Sequence, residues 1–299
     1  MLRAAARSIS STLFSREIMA LITSPSNPRI SRARELQAAK GRKKHGLFLM
    51  EGPHLLQVLL DSAMIPAEVY YQPALLERTR EGRALLHRLL HTGGLSNENR
   101  IEVSERVIES ISETQTSQGV VSLLPLSAFA PQRIQARRPA APRPVLLVLD
   151  GLSDPGNMGT ILRTALAADV AEVLLAPHCV DCFSPKVVRA AAGAHVALPI
   201  AVDQTWDAIE EHIEKHCRGE RRVLLAEAGS ARQYFEQDLH TPFALITGNE
   251  AHGPSLEARK SASATISIPL ANNVESLNAA MATGIILYEA VRQRRIQNL

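Results

Sequence analysis

The length and composition of the chain indicate a globular protein with one large or two medium domains, because 45% of its 299 residues are hydrophobic and 4% are aromatic. Its net charge is only +3, but residues 1–46 hold ten Lys or Arg and two acidic residues. This asymmetry favours a polyanionic partner, and nucleic acid is one candidate. No apolar run reaches the roughly 18–20 residues that span a bilayer, which predicts a soluble protein without a membrane partner.

The three cysteines are too few for a disulfide framework, which favours a reducing compartment. Two of them, Cys179 and Cys182, form an isolated CxxC pair. A structural zinc site normally needs four ligands. We therefore interpret this pair as two small hydrophobic residues and predict no metal site.

The first 16 residues contain three Arg, several Ser and no acidic residue. This composition is typical of an organellar transit peptide, but an extension ahead of Met19, where the patterned sequence begins, explains it as well. We interpret residues 1–18 as such an extension and predict a cytoplasmic protein. A mitochondrial matrix location is the alternative.

The sequence pattern of residues 19–126 predicts a small α/β domain, the first of two. Hydrophobic periodicity predicts, in chain order, a helix at 30–44, a strand at 47–50, a helix at 54–62, a strand at 68–71, a helix within 74–91 and a strand at 119–124. Residues 127–144 then contain four Pro, four Arg and no acidic residue. We expect this stretch to be an interdomain linker that cannot pack into a core.

Residues 145–299 predict a second domain in which strands alternate with helices. The strands are expected at 145–149, 173–176, 223–226, 243–247 and 265–268, and the helices at about 158–168, 184–193, 205–217 and 276–295. The strands are continuously apolar. Such strands, separated by helices, indicate an α/β fold with a parallel sheet that is covered on both faces.

Three loops follow strands of this sheet and have the character of a nucleotide-type cofactor site, which lies beyond the carboxyl ends of parallel strands. In the first, Pro155, Gly156 and Gly159 shape a turn, Asn157 offers an amide and Arg163 lies further along the next helix.

In the second loop, Gly248 and Gly253 bracket Asn249 and Glu250. In the third, Pro269 ends the strand, Ser276 or Asn273 can cap the final helix, and Asn278 lies in its first turn. The dinucleotide fingerprint GxGxxG and the phosphate loop GxxxxGK[ST] do not occur in the sequence. Their absence argues against a dehydrogenase or an NTPase.

Together the three loops resemble, in order and spacing, the signature motifs of the SpoU-type RNA ribose 2′-O-methyltransferases of the SPOUT superfamily. Asn157, Gly159 and Arg163 match NxGxxxR, and Gly248, Glu250 and Gly253 match GxExxG. IPL at 268–270 and ESLNAA at 275–280 match the third motif. The resemblance covers residues 145–299. More loosely, NPRI at 27–30, FLMEG at 48–52 and QGVV at 118–121 resemble the family's ribosomal-protein-like RNA-binding domain.

The resemblance implies a sheet whose C-terminal part is threaded as a deep trefoil knot, and S-adenosylmethionine as cofactor. The cofactor would be held mainly by backbone contacts at Gly248, Ile268, Leu277, Leu225, Ala226 and Glu227. The resemblance also implies catalytic roles for Arg163, Asn157, Glu250, Ser276 and Asn278.

A guanidinium is a poor base at neutral pH. We therefore expect Arg163 to grip the phosphate beside the target ribose and to keep the hydroxyl's environment positive, with proton loss to the phosphate or to water. The other four residues would orient the ribose and the loops by hydrogen bonds.

RNA affinity is expected from the basic residues that open the N-terminal domain, because phosphate contacts dominate such affinity. They are Arg29, Arg32, Arg34, Lys40, Arg42, Lys43 and Lys44. The ribosomal-protein-like domain favours large-subunit ribosomal RNA as substrate, and transfer RNA remains open. A catalytically silent RNA-binding assembly factor on the same fold and a Rossmann-type enzyme acting on a small molecule are the competing interpretations.

The final helix is apolar around much of its circumference, so a face of it must be buried against something other than the sheet. Its small residues Ala280 and Gly284 would allow a close approach by another helix. A second copy of the chain and a neighbouring helix of the same chain explain this pattern about equally well. The family resemblance favours an obligate homodimer through the C-terminal domain.

Overall fold

The described part of the chain contains two units, each built on its own sheet. The computed structural model describes residues 21–91, 95–139, 143–217, 221–249 and 252–296. The proposed extension at 1–18 and Glu250 lie outside these ranges. None of the helices within these ranges is long and apolar enough to cross a bilayer.

The N-terminal unit has a four-stranded mixed sheet. Its strands are β1 (Leu47–Glu51), β2 (Glu68–Tyr71), β3 (Arg100–Glu102) and β4 (Val120–Pro125), in the order β1-β4-β2-β3. Its helices are α1 (Pro28–Glu35), α2 (Ala39–His45), α3 (Pro53–Asp61), α4 (Pro73–Leu76), α5 (Arg80–His91), α6 (Glu105–Ile111) and α7 (Pro131–Gln135). Apolar side chains from both faces of the sheet form two separate cores with these helices.

The C-terminal unit has a six-stranded sheet in which every pairing is parallel, as the sequence predicted. Its strands are β5 (Val145–Leu149), β6 (Glu172–Leu175), β7 (Ile200–Ala201), β8 (Val223–Ala226), β9 (Phe243–Thr247) and β10 (Ala264–Ile266), in the order β10-β8-β9-β5-β6-β7. Its helices are α8 (Pro155–Ala167), α9 (Pro185–Ala190), α10 (Trp206–His216), α11 (Leu256–Ser261) and α12 (Ala279–Ile296).

Successive residues of the central strands face opposite sides of this sheet, and each side has its own core. On β5, Leu147 and Leu149 pack with residues of α8 and α12, whereas Leu146 and Val148 pack with residues of α10 and α11. All four are completely buried. Burial on both faces explains why these strands are continuously apolar in the sequence.

The predicted basic helix at 30–44 is two helices, because the chain turns at residues 36–38. Arg42 stabilises this turn by donating from Nη1 to the backbone carbonyls of Leu36 and Gln37, at 2.7 and 2.9 Å. The predicted helix within 74–91 is likewise split, into α4 and α5. The short elements β3, α6, β7 and α11 were not predicted, since none of them is long enough to show a clear hydrophobic period.

The expected linker does pack into a core, so that prediction was wrong over its first half. Helix α7 begins at Pro131, and the side chains of Phe129 and Ile134 are buried with the β1 and β4 side of the N-terminal unit. The burial of these two apolar side chains therefore fixes the segment to the N-terminal unit, despite its Pro- and Arg-rich composition. Residues 140–142 lie outside the described ranges.

Helix α9 joins the two units. The ring of Phe183, just before α9, lies 4.9 Å from that of Phe48 on β1, and Val188 belongs to an N-terminal core. Arg42 adds an ion pair across the boundary, with its Nε 2.9 Å from Asp181 Oδ2. His195 is buried at the same boundary, and burial lowers its pKa to about 4. The units therefore share apolar surface as well as a charge pair.

Cys182 is buried in the core of the C-terminal unit, as expected for a small hydrophobic residue. Burial raises the pKa of the Cys179 thiol to about 11, and its Sγ lies 3.1 Å from the carbonyl of Leu149. These protonated thiols are poor metal ligands as they stand.

Candidate active site

An open cleft lies at the carboxyl ends of strands β8, β9 and β10, where the second and third motif loops meet. It offers about 310 Å³ of space. The predicted cofactor residues that line it are Ala226, Glu227, Gly248, Ile268 and Leu277. Apolar side chains such as Ile286 form part of its wall, and Glu227 and Arg259 provide charge at an exposed position. An apolar wall with few polar groups is typical of a small-molecule site.

Leu225 is absent from the residues that line the cleft, so its predicted backbone contact with the cofactor stays a prediction. Its side chain is completely buried on the α10 side of the sheet. Because successive strand residues point to opposite faces, Leu225 and Ala226 cannot both face the cleft.

Gly248 lets the second motif loop fold closely over the cleft. A Cβ atom on this residue would lie 2.7 Å from the backbone nitrogen of Pro254 and 2.8 Å from its Cα. The loop is tied to the first motif by two hydrogen bonds. Asn249 Nδ2 donates to the Gly151 carbonyl at 2.7 Å, and Ser255 N donates to Asp150 Oδ2 at 2.7 Å. The two motif loops are therefore held as one assembly.

We expect Gly248→Ala to weaken S-adenosylmethionine binding at least about 10-fold, because the added methyl must displace the Pro254 backbone at the cleft wall. Isothermal titration calorimetry measures this directly. Gly284→Ala is the matched control: its Cβ would lie 3.5 Å from Thr164 Cγ2, an ordinary contact. Equal affinity in the two variants would contradict the role of Gly248.

The first and third motifs meet through two asparagines. Asn278 Nδ2 donates to Asn157 Oδ1 at 2.8 Å. Asn278 Oδ1 accepts from the backbone nitrogens of Ala280 and Met281, so Asn278 caps α12. The predicted cap at Ser276 or Asn273 was wrong, since α12 begins at Ala279.

Arg163 lies on α8, six residues beyond Asn157. Its side chain is exposed, it makes no ion pair with any described residue, and it is absent from the residues that line the cleft. Ser276, by contrast, does line the cleft. The structure therefore brings Asn157, Ser276 and Asn278 to the carboxyl end of the sheet and leaves Arg163 exposed on α8.

Several residues that build the site were missed by the sequence reasoning. Asp154 caps α8 by accepting from the Asn157 backbone nitrogen at 2.7 Å, and an Asp before Pro155 is a recognisable start signal for a helix. Thr247 Oγ1 lies 3.0 Å from Thr283 Oγ1, which joins β9 to α12. No local sequence signal indicates that pair, because its members are distant in the chain.

The basic residues of α1 and α2 are mostly accessible. Lys40 and Lys43 are exposed, as is Arg34, while Lys44 lies 2.8 Å from Glu35. The hydrogen bonds from Lys44 and then His45 lower the pKa of Glu35 to about 2. Arg32 and Arg29 lie beside Glu68, at 2.7 and 3.9 Å.

Arg42 is the exception, and its prediction as an RNA ligand was wrong. Its residue exposure is 4%, and its guanidinium is occupied by Asp181 and by two backbone carbonyls. A phosphate could reach it only if these contacts broke.

Comparison with known proteins identifies the family. The sequence model of the SpoU rRNA methylase family matches residues 144–288, and that of the MRM3-like substrate binding domain matches residues 27–122. An uncharacterised tRNA/rRNA methyltransferase of Synechocystis is 36% identical over 278 residues, which cover 92% of this chain and 95% of that protein. The chain belongs to the SpoU rRNA methylase family. It is an RNA 2′-O-methyltransferase with S-adenosylmethionine as methyl donor, as the motifs predicted.

Other members show how broadly the family similarity extends. The mitochondrial rRNA methyltransferase 3 of mouse is 30% identical, with 86% of this chain and 70% of that protein covered. The 23S rRNA (guanosine(2553)-2′-O)-methyltransferase of Bacillus subtilis is 29% identical, with 90% and 98% covered. The S-adenosylmethionine-bound rRNA methyltransferase of Sinorhizobium meliloti has a TM-score of 0.74 at 31% identity, with 91% of this chain and 97% of that chain covered.

Proposed function

We propose that the protein methylates a ribose 2′-hydroxyl of structured large-subunit ribosomal RNA, with S-adenosylmethionine in the cleft at the ends of β8, β9 and β10. The observation that carries this proposal is the convergence of the three motifs. The second and third line one cleft, and the first is bonded to both, through Asn157 to Asn278 and through Gly151 to Asn249.

The cleft suits the cofactor in its chemistry. Ile268, Leu277 and Ile286 provide apolar contact for a base, and the close fold at Gly248 brings backbone groups to the wall. Glu227 and Arg259 lie 2.6 Å apart at the cleft. The carboxylate of Glu227 can accept hydrogen bonds from the hydroxyl groups of the cofactor, and the guanidinium of Arg259 can bind its carboxylate. When bound, S-adenosylmethionine supplies an electrophilic methyl group on a sulfonium.

Side chains near the cleft are proposed to orient the ribose, bind the adjacent phosphate and position the loops. Ser276 and the Asn157–Asn278 pair orient the ribose. The pair also holds the loop before α12, since Asn278 caps that helix. Arg163 binds the phosphate beside the target ribose and favours loss of the hydroxyl proton by its charge. Glu250 keeps its proposed role in orienting the second loop, and it lies outside the described residues.

The active site is proposed to form between two copies of the chain. Arg163 is absent from the lining of the cleft, so it is poorly placed to act on a ribose at the cleft of its own chain. Helix α12 packs on α8 next to Arg163, because Gly284 contacts Thr164. On its outer side α12 exposes Met281 and Tyr288, by 59% and 51%. An exposed apolar stripe beside an unpaired arginine is suited to a dimer interface that supplies Arg163 to the partner's cleft.

The small residues pack within the chain, which was one of the two alternatives that the sequence left open. Ala280 is 5% exposed, and Gly284 faces α8 of the same chain. The intrachain neighbour therefore explains that part of the apolar pattern. The proposed dimer depends on the larger residues Met281 and Tyr288.

The experiment that tests the function measures methyl transfer from labelled S-adenosylmethionine to four substrates: large-subunit ribosomal RNA, small-subunit ribosomal RNA, transfer RNA and free nucleosides. We expect transfer to a 2′-hydroxyl of large-subunit RNA only. Transfer chiefly to transfer RNA would replace the proposed substrate. Transfer to free nucleosides would indicate a small-molecule enzyme, and cofactor binding without any transfer would indicate a silent RNA-binding protein.

The exposed basic residues of α1 and α2 are proposed to bind RNA phosphates. We expect the triple variant Arg34→Ala, Lys40→Ala and Lys43→Ala to lose RNA affinity at least about 10-fold at physiological salt, and to lower the salt slope by about one per lost phosphate contact. Filter binding at several salt concentrations gives both values. Lys215→Ala, an exposed lysine on α10, is the control. A triple variant with the control's salt slope would contradict the assignment.

The proposed domains are 19–126 and 145–299, joined by 127–144. The burial of Phe129 and Ile134 supports assigning residues 127–135 to the N-terminal domain.

The deep trefoil knot is proposed for the second domain from membership of the family.

A cytoplasmic location is proposed from the sequence. The mitochondrial alternative is supported by relatives such as the mitochondrial rRNA methyltransferase 3 of mouse.

A further inference from the structure

A cluster of three potential metal ligands lies at the amino end of β6, away from the cofactor cleft at the opposite ends of the strands. Glu172 begins β6, and His212 and His216 lie one turn apart on α10. Glu172 Oε2 is 3.0 Å from His212 Nδ1 and 4.0 Å from His216 Nε2. One ligand atom from each residue lies within 4.8 Å of the others.

The donor set matches zinc. Two imidazoles and one carboxylate with an open fourth position form a known type of zinc site. With bonds of about 2.0–2.2 Å, tetrahedral ligands are separated by roughly 3.3 Å. The two distances from Glu172 Oε2, at 3.0 and 4.0 Å, lie on either side of this value. The ligand atoms of the two histidines lie within 4.8 Å of each other, so binding would draw the three side chains together around the ion.

The ring of His216 is already oriented as a ligand. Its Nδ1 lies 2.8 Å from the backbone carbonyl of His212, which places the N–H on Nδ1. Nε2, which lies 4.0 Å from Glu172 Oε2, then carries the lone pair that can bind a metal. Metal-bound histidines are usually fixed in this way, by a second hydrogen bond from the other ring nitrogen.

Glu172 is only 7% exposed, and its carboxylate lies beside the two imidazole rings, whose planes differ by 5° and whose centroids are 6.2 Å apart. The alternative for this cluster is the hydrogen bond between His212 Nδ1 and Glu172 Oε2 without a metal. A divalent cation held by all three side chains would neutralise the buried carboxylate.

The fourth coordination position has room for a water molecule. Glu172 and His212 line a cavity of about 250 Å³ between β7 and the segment around α7. Gln204 and Gln132 also line it and offer polar groups to such a water.

We propose that Glu172, His212 and His216 bind one zinc ion, with water as fourth ligand, and that this ion fastens α10 to the amino end of β6. This departs from the expectation of no metal, which considered the CxxC pair and overlooked the i, i+4 spacing of the histidines. The site does not depend on the proposed function, because it lies at the other end of the strands.

Titration of the purified full-length protein with Zn²⁺, in competition with a chromophoric chelator, tests the site. We expect one equivalent bound, with affinity lowered at least about 10-fold in Glu172→Gln and in His216→Gln. His91→Gln is the matched control, because His87 and His91 are also spaced i, i+4 on a helix but belong to no three-ligand cluster among the described residues. Its affinity should equal that of the wild type.

A second measurement separates metal binding from folding. Zinc in excess should raise the unfolding midpoint of the wild type by roughly 5 °C and leave that of Glu172→Gln unchanged, while both proteins bind S-adenosylmethionine equally. Zinc affinity in Glu172→Gln equal to the wild type, or the absence of saturable binding at one equivalent, overturns the proposal. If His216→Gln fails to fold, Glu172→Gln alone decides, since glutamine keeps the shape of the side chain.

Discussion

Arg163→Ala is expected to lower the rate of methyl transfer at saturating substrates by about 10²- to 10³-fold, the usual loss when a preorganised charge is removed from a transition state. S-adenosylmethionine affinity should stay at the wild-type value, because Arg163 is absent from the lining of the cofactor cleft. Single-turnover kinetics and calorimetric titration measure the two quantities separately.

Arg163→Lys and Arg80→Ala complete this test. Lysine keeps the charge without the planar fork that binds a phosphate in two places, so an intermediate rate is expected. Arg80 is an exposed arginine on α5. Arg80→Ala should therefore keep the transfer rate and the S-adenosylmethionine affinity of the wild type. Wild-type rates in Arg163→Ala would remove this residue from the mechanism.

The double variant Met281→Glu with Tyr288→Glu is expected to be a monomer with at least about 100-fold lower activity. Two carboxylates on the exposed stripe of α12 would have to be buried without partners at the proposed interface. Light scattering gives the mass, and the transfer assay gives the activity. Ile65→Glu is the control, since Ile65 is as exposed as Met281, at 59%, and lies in the N-terminal unit. An active monomer would refute the shared site.

Mixed dimers provide a sharper test of the same idea. Arg163→Ala retains a sound cleft, and Gly248→Ala retains a sound arginine. If each Arg163 serves the partner's cleft, a mixed dimer contains one complete site. Random mixing of equal amounts should then restore up to about one quarter of the wild-type activity, measured at a cofactor concentration too low to fill the Gly248→Ala cleft. No recovery in confirmed mixed dimers would place Arg163 at the cleft of its own chain.

The sequence predicted the parallel sheet well, because strands buried on both faces are recognisable from their continuous apolar runs. It also predicted that a cleft lies beyond the carboxyl ends of the strands, since the motif loops follow those ends. It could not predict which of two adjacent strand residues lines that cleft, because Leu225 and Ala226 lie on opposite faces of β8.

Arg42 shows a second limit of sequence reasoning. It lies among the exposed basic residues of α2, and nothing local distinguishes it from Lys43. Its partner Asp181 is 139 residues away, and only the docking of the two units brings them together. The zinc cluster has the same origin, since Glu172 is 40 residues from His212. Such contacts arise from tertiary structure.

Helix α9 packs tightly against both units. A Cβ on Gly159 of α8 would lie 2.4 Å from Ala190 Cβ on α9, while Val188 of α9 is buried in the core of the N-terminal unit. Helix α8 also carries Arg163, so this packing fixes the distance between the basic surface of α1 and α2 and Arg163. We therefore expect the enzyme to select its nucleotide by distance. The target ribose must lie at a fixed distance from the RNA phosphates that bind α1 and α2, and RNAs in which this distance differs should not be methylated.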